Sequence, residues 1–407
     1  MMDDPMVIVG GGLAGGTAAR TLRSEGFEGR ILLFAAEAHR PYQRPPLSKE
    51  FLTGAKPLDA AYLQAEGWEQ EHDVELSVGV AVRELDPGAH EIILEDGTRV
   101  GYGALLLATG AHPRRPAFDG IHADGVHLLR TIEDAQALRD DLAAGGRRVV
   151  VVGSGWIGLE AAAAARGYGN DVVVLGRQEI PLANALGPEV GALFADVHRA
   201  HGVDLRGSAE VLGLTDVGRR VAAVRTAEGS VPADVVVIGV GAIPNTALAE
   251  DAGLAVHNGI LVDQRLRTSA PDVYAAGDVA NAYHPFVDAR MRNEHWNNAL
   301  TGGKVAALSM LGREALHESV PYFYTDQFEI GMEYAGYPPL ADGAEVVFRG
   351  DPAGGEYVVF WLRDGAVVAG MNVNVWRVNA KIKALVSSRR EVDLARLTNP
   401  EIPIDEV

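Results

Sequence analysis

The sequence contains no cysteine. Structural disulfides, thiolate metal sites and redox-active dithiols are thereby excluded. No apolar run approaches the ~18 residues that a membrane-spanning helix requires, so no membrane association is expected. Positive charge is scarce: 36 Lys and Arg stand against 55 Asp and Glu, a net charge of −19. That balance argues against nucleic acid or an anionic membrane surface as a partner. The first residues, Met1-Met2-Asp3-Asp4-Pro5, carry no basic region. No signal peptide is expected there, and the expected location is cytoplasmic.

Glycine, by contrast, is abundant, at 48 of 407 residues. It is concentrated in two turns of the same kind. The first follows Val7-Ile8-Val9 and places Gly10, Gly12 and Gly15 in a G-x-G-x-x-G pattern. The second follows Val149–Val152 and places Gly153, Gly155 and Gly158 in the same pattern. Each reads as a short apolar strand, the glycine turn, and then an alanine-rich helix. The first glycine permits the tight turn, and the second lets backbone approach a pyrophosphate. The third lets helix and strand pack closely, and the helix N-terminus offers free N–H groups to the anion. Two such turns imply two dinucleotides in one chain, and so electron transfer between a flavin and a nicotinamide.

Other segments punctuate the chain. Met6–Val9, Leu13–Glu25 and Arg30–Phe34 form the first strand-helix-strand unit, with Glu37 about 20 residues past the glycines. An acid at that distance normally accepts hydrogen bonds from a ribose. Arg40–Lys49 contains three prolines, Pro41, Pro45 and Pro46, which stiffen the loop and present Arg44 and Lys49 on a rigid frame. Thr131-Ile132-Glu133-Asp134 reads as a helix-opening capping box. Asp171–Leu175 completes the second unit, and Asp272–Val279 delivers Asp278 to a strand end, where ligands of open α/β sheets bind. From about Pro321 the pattern turns to strands, Phe328–Met332, Glu345–Phe348, Tyr357–Leu362 and Ala366–Asn374, followed by a helix over Val378–Val386. His198 and His201 stand at i,i+3 on a helix, with no carboxylate spaced to complete a metal site. They are expected to be surface residues, and no metal is expected.

Together these residues resemble the FAD-dependent ferredoxin reductases of the oxygenase-coupled type, the family of the putidaredoxin, rubredoxin and aromatic-dioxygenase reductases, with apoptosis-inducing factor more distant. The resemblance is carried by PYQRPPLSK (Pro41–Lys49), ATGAHPR (Ala108–Arg114), AAGDVA (Ala275–Ala280), EHW (Glu294–Trp296) and PYFYTDQ (Pro321–Gln327), in the family's order. It implies an α/β fold of glutathione-reductase-like architecture, with two Rossmann-like dinucleotide-binding domains and a C-terminal α+β domain. The implied boundaries are 1–111 plus 242–318 for FAD, 112–241 for NAD(P), and 319–407 for the interface domain.

The resemblance also implies roles. Gly10, Gly12, Leu13, Ala14 and Gly15 wrap the FAD pyrophosphate. Glu37 holds its ribose, although the family more often has an acid where Ala36 stands. Arg44, Lys49, Val82, Thr109, Gly110 and Arg114 contact FAD, and Asp278 takes the ribityl chain or phosphate. His295, Trp296 and Tyr324 lie at the flavin. Gly153, Gly155, Trp156, Ile157, Gly158, Glu160, Gly176, Arg177 and Gly241 serve NAD(P). Lys49 and Glu160 form a pair where hydride arrives, and a cation there favours the charge of the reduced flavin. Glu160 also reads as a helix-start acid satisfying the dipole.

The implied activity is hydride transfer from NAD(P)H to FAD, then single electrons to an acidic [2Fe-2S] ferredoxin or similar iron–sulfur protein feeding a cytochrome P450 or Rieske oxygenase. Without cysteine, disulfide-, peroxide- and CoA-disulfide-reducing relatives are excluded. Two alternatives stand: an NADH-sensing flavoprotein of the apoptosis-inducing-factor type, and a partner of rubredoxin or nitrite reductase. NADH is the expected coenzyme, with NADPH also admitted, since Gly176 replaces the family's acid and Arg177 follows it. A basic run, Arg377, Lys381, Lys383, Arg389 and Arg390, immediately preceded by Trp376, with Arg292 close to the flavin-contacting segment, is the expected docking patch for the acidic partner.

Overall fold

The structure is a computed structural model and describes residues 4–407. It contains two compact units. The first takes the chain up to Arg44, Leu58–His112 and Ile243–Pro321, and the second takes Pro45–Pro57, Pro113–Ala242 and Tyr322–Val407.

The first unit is built on a five-stranded parallel sheet, in the order Val273–Ala275, Ala104–Leu107, Met6–Val9, Ile31–Ala35, Val74–Val78. Strands covered on both faces read as continuous apolar runs, which is why MVIV, ILLFA and ALLL are nearly wholly buried. Each fully buried Leu or Ile contributes about 1.5–3 kcal/mol. The helix Leu13–Ser24 lies against the helix Trp296–Met310. Their close crossing requires Gly303, where a Cβ would stand 2.4 Å from the Ala14 carbonyl oxygen.

The second unit repeats the plan. Its parallel sheet runs Asp204–Arg206, Asp171–Leu175, Arg148–Val152, Val235–Ile238, Val126–His127. The helix Ile132–Ala143 opens on the expected capping box, Thr131 and Asp134 each bonding the other's backbone. An antiparallel sheet follows in the order Tyr322–Gln327, Ile330–Gly336, Ala366–Val373, Glu356–Arg363, Glu345–Asp351, with the helix Asn379–Ser388 after it. This sheet shares a core with the parallel one, Met332, Tyr334 and Trp361 joining Leu159 and Phe194. Pro45–Pro57 belongs here through Leu52, which is buried in that core.

One sequence expectation is corrected. The strand read at Phe328–Met332 is displaced, because Phe328 adopts φ +53° in the turn between Tyr322–Gln327 and Ile330–Gly336. An aromatic is a strand former by propensity, but the tight hairpin overrides it.

Candidate active site

The two glycine turns are superimposable in their constraints. In the first, Gly10 has φ +122°, and a Cβ there would lie 2.1 Å from the Ala108 carbonyl oxygen. A Cβ on Gly15 would lie 2.0 Å from the Gly10 oxygen. In the second, Gly153 has φ +112° and its Cβ would meet the Gly239 oxygen at 2.2 Å, while that of Gly158 would meet the Gly153 oxygen at 2.1 Å. The middle glycines, Gly12 and Gly155, face open space. Both are helix N-caps without a capping side chain. The first N–H groups of each helix therefore remain available to an anion, unlike those after Thr131. The residues present fit two pyrophosphates.

In the first unit the expected contacts gather around the turn at Gly10. Arg44 donates to Glu37 at 2.7 Å, and the Tyr42 hydroxyl donates to the other Glu37 oxygen. Burial acts against the Arg44 charge, but Tyr42, Glu37 and Asp278 more than offset it and raise its pKa. Asp278 is buried on the turn after Val273–Ala275, next to Gly277 at φ +78°. Thr109 donates to the Asn245 carbonyl at 2.8 Å, and Gly110 has φ +68°. The Trp296 indole donates to Gln43 at 2.7 Å. Burial pushes the His295 imidazole down to about 4, so it is neutral. Val82 begins the strand Val82–Asp86 and is half-buried.

In the second unit the helix Trp156–Gly167 carries its acidic residue, Glu160, early. Lys49 and Glu160, 111 residues apart in sequence, meet with Nζ donating to Oε1 at 2.7 Å. The pair is 8% and 3% exposed respectively. Ser48 and Thr325 also donate to the carboxylate, at 2.5 Å each. The Lys49 ammonium stands 5.2 Å from the centre of the Tyr324 ring. Burial, with nearby Glu50, Asp326 and Glu160, pushes the Tyr324 phenol up to about 12. Desolvation likewise raises the Asp326 carboxyl.

Around the second glycine turn, Ile157 is 44% exposed, large and apolar at the first turn of the helix. The Trp156 ring packs on Phe323 at 4.9 Å. Gly241 has φ +103° with open space beside it, and its carbonyl receives the Arg114 backbone N–H. The Arg114 side chain is exposed. Gly176 is buried, and a Cβ there would stand 2.6 Å from Ser154 Oγ. Arg177 is exposed and makes no ion pair among the described residues.

Two expectations change. His198 is not a surface residue: it is 0% exposed and hydrogen-bonded to Gln327 at 2.8 Å, because the strand Tyr322–Gln327 covers that face of its helix. His201 is partly exposed and stacked on Phe328 at 3.9 Å. The basic run is also thinner than its sequence. Lys381 is paired with Asp405, Lys383 lies half-buried over Tyr322, and Arg292 is paired with Glu294. Arg377 and Arg390 remain without ion pairs among the described residues, and Trp376, which precedes Arg377, is 57% exposed. Ser48, Thr325 and Gln327 fall within the PYQRPPLSK and PYFYTDQ motifs, but nothing in the sequence assigns them to the carboxylate.

A chain with two uncapped glycine turns, each at the carboxyl end of a parallel sheet, is a two-dinucleotide protein. It belongs to the family described as pyridine nucleotide-disulphide oxidoreductase, which matches residues 4–303, with the reductase C-terminal family matching 322–407. It is 37% identical to the ferredoxin reductase subunit of a 5,5'-dehydrodivanillate O-demethylase from Sphingobium sp., over 98% of this chain and 97% of that protein. It is 35% identical to putidaredoxin reductase of Pseudomonas putida, over 100% and 97%. Among solved structures it resembles putidaredoxin reductase in its covalent complex with putidaredoxin, with a TM-score of 0.95 and 34% identity, covering 99% of this chain and 97% of that one. The ferredoxin reductase of the CYP199A2 system from Rhodopseudomonas palustris gives 0.94 and 31%, covering 99% of both chains.

Proposed function

We propose that the protein is an FAD-dependent NAD(P)H:ferredoxin oxidoreductase. It takes hydride from NAD(P)H and passes single electrons to a [2Fe-2S] ferredoxin that feeds a cytochrome P450 or Rieske oxygenase. The observation that carries this reading is the buried pair of Lys49 with Glu160, the latter on the helix that follows the second glycine turn, in a chain without cysteine. Electrons have no thiol to reach, so they leave for an outside acceptor.

FAD, when bound, accepts an electron pair and releases electrons one at a time. The chain's residues prepare the place. The first glycine turn, with Glu37, Arg44 and Asp278, holds the adenine-dinucleotide portion. The second orients the nicotinamide nucleotide. Glu160, fixed by three donors, holds Lys49 as a localised positive charge, and Tyr324 lines the same place. In this reading 1–111 and 242–318 serve FAD, 112–241 serves NAD(P), 319–407 receives the ferredoxin, and the location is cytoplasmic. No helix among the described residues is long and apolar enough to cross a membrane.

Replacing Glu160 with Gln, or Lys49 with Met, should slow anaerobic flavin reduction by roughly 10–100-fold, the size of a lost charged hydrogen bond. Bound FAD, measured by absorbance, should stay near one per chain. Undiminished single-turnover rates in both variants would show the pair to be structural only. Each single change leaves a buried partner charge, at about 3–5 kcal/mol, so the double variant is the stability control.

A further inference from the structure

Glu160 is the end of a longer buried chain. Thr325 Oγ1 bonds Glu160 Oε1, Gln327 Nε2 bonds Thr325 Oγ1 at 3.1 Å, and Gln327 Oε1 faces His198 Nε2 at 2.8 Å. Thr325, Gln327 and His198 are each at most 1% exposed. The chain joins the helix Trp156–Gly167, the strand Tyr322–Gln327 and the helix Pro188–Ala200, all within the second unit.

Its direction follows by elimination. An ionised carboxylate only accepts, so the Thr325 hydroxyl proton points at Glu160. Having one proton, Thr325 Oγ1 must then accept from Gln327, which can only offer its amide Nε2–H. That turns the Gln327 oxygen toward His198, and His198 must donate from Nε2. Burial holds the His198 imidazole below its usual pKa, so it is the neutral Nε2–H tautomer. Phe328 packs edge-on against the ring at 5.0 Å and holds its orientation. Every donor in the chain points one way, toward the carboxylate that grips Lys49.

We propose that His198 is a positioning residue for flavin reduction: through Gln327 it locks the Thr325 hydroxyl onto Glu160, and so fixes the Lys49 ammonium. This rests on the reading of Lys49 and Glu160 as the pair at the hydride site. If His198 stops donating, Gln327 loses the partner that sets its amide orientation. A turned Gln327 offers its oxygen to Thr325, and the hydroxyl proton leaves Glu160. The carboxylate then keeps Ser48 and Lys49 alone.

The test is anaerobic stopped-flow reduction of the FAD-loaded full-length protein by NADH, which separates the reduction rate constant from coenzyme Kd. Thr325→Val should lower the rate constant roughly 10–100-fold, with Thr325→Ser restoring most of it. His198→Phe, which keeps bulk but no donor, should lower it about 3–10-fold with Kd unchanged. His198→Gln, which keeps a donor, should return it to within about twofold of the parent. The double variant His198→Phe with Thr325→Val should match Thr325→Val alone, because without the hydroxyl His198 has nothing to orient. Multiplying effects in the double variant, or equal rates for His198→Phe and the parent, would overturn the proposal. Should His198→Phe fail to fold, Gln327→Met breaks the same link and carries the same expectation. A Glu160→Gln enzyme as fast as the parent overturns the underlying reading too. A slow Glu160→Gln enzyme beside a fast His198→Phe enzyme overturns the chain alone.

Discussion

At the scale of single residues, coenzyme choice is written in a register. In the first unit Val9 pairs with Phe34, and in the second Val152 pairs with Leu175. The first glycine of each turn donates to that partner, Gly10 to Phe34 at 2.8 Å and Gly153 to Leu175 at 2.9 Å. Ala35-Ala36-Glu37 therefore correspond to Gly176-Arg177-Gln178. The Glu37 carboxylate, which we propose serves a ribose in the first unit, has the uncharged amide of Gln178 as its counterpart in the second. Ser154 Oγ occupies the space that a side chain on Gly176 would need. An acid repels a 2′-phosphate and an arginine accepts it. We expect NADH to be preferred with weak discrimination, a kcat/KM ratio below about a thousand, or roughly 4 kcal/mol. Arg177→Glu should lower kcat/KM for NADPH roughly 10–100-fold and leave NADH nearly unchanged, measured by steady-state reduction of a dye acceptor. The arginine, the missing acid and the Lys49 and Glu160 candidates were legible in the sequence, the last two through motifs. The other partners of Glu160 were not. Thr325 lies 165 residues away, and His198 looked like one of two solvent-facing histidines until the strand covering its helix was known.

At the scale of elements, the strand-turn-helix units were the most legible part. Their apolar strands, glycine spacing and alanine-rich helices are local signals that agree with one another. The strand Asp171–Leu175 stands where the sequence places it, and the helix ends differ only slightly. The hairpin Tyr322–Gln327 and Ile330–Gly336 was less legible, because its turn uses Phe328 rather than a glycine or asparagine. The two turns make a paired prediction. Gly15→Ala puts a Cβ 2.0 Å from the Gly10 oxygen, which forces the first helix off its strand. That variant should lose FAD on purification. Gly158→Ala makes the equivalent clash in the second unit, at 2.1 Å from the Gly153 oxygen. It should keep FAD, with kcat/KM for NAD(P)H falling by at least about tenfold, since the helix N-terminus proposed to meet the pyrophosphate is displaced. Flavin absorbance and steady-state kinetics distinguish the two.

At the scale of the molecule, two histidines held neutral, His295 and His317, make the stability of the protein depend on pH. Burial, helped by His284, pushes His317 down to about 4, and burial alone does the same to His295. A histidine lowered on folding stays neutral in the native state while the unfolded chain takes up a proton near 6.5. The unfolded state then binds more protons, so stability is fully present above about 6.5 and is lost as pH falls toward 4. For the partly exposed His317 this amounts to roughly 1–3 kcal/mol after screening. The Tm should fall between pH 6.5 and 4.5, and His317→Gln should flatten that fall. An equally steep profile in the variant would place the acid sensitivity elsewhere. Overall charge was legible from composition alone. Which cations stay available was not: Lys381 is taken by Asp405, and only folding brings those two together.

Ile157 stands out on the start of the second nucleotide helix in a chain with no sulfhydryl anywhere. A cysteine introduced at that position would be the molecule's sole thiol. A dye or spin probe can thus be attached where we propose the coenzyme binds without first stripping the protein of competing reactive groups, and on that proposal the arrival and departure of NAD(P)H become visible from one labelled atom.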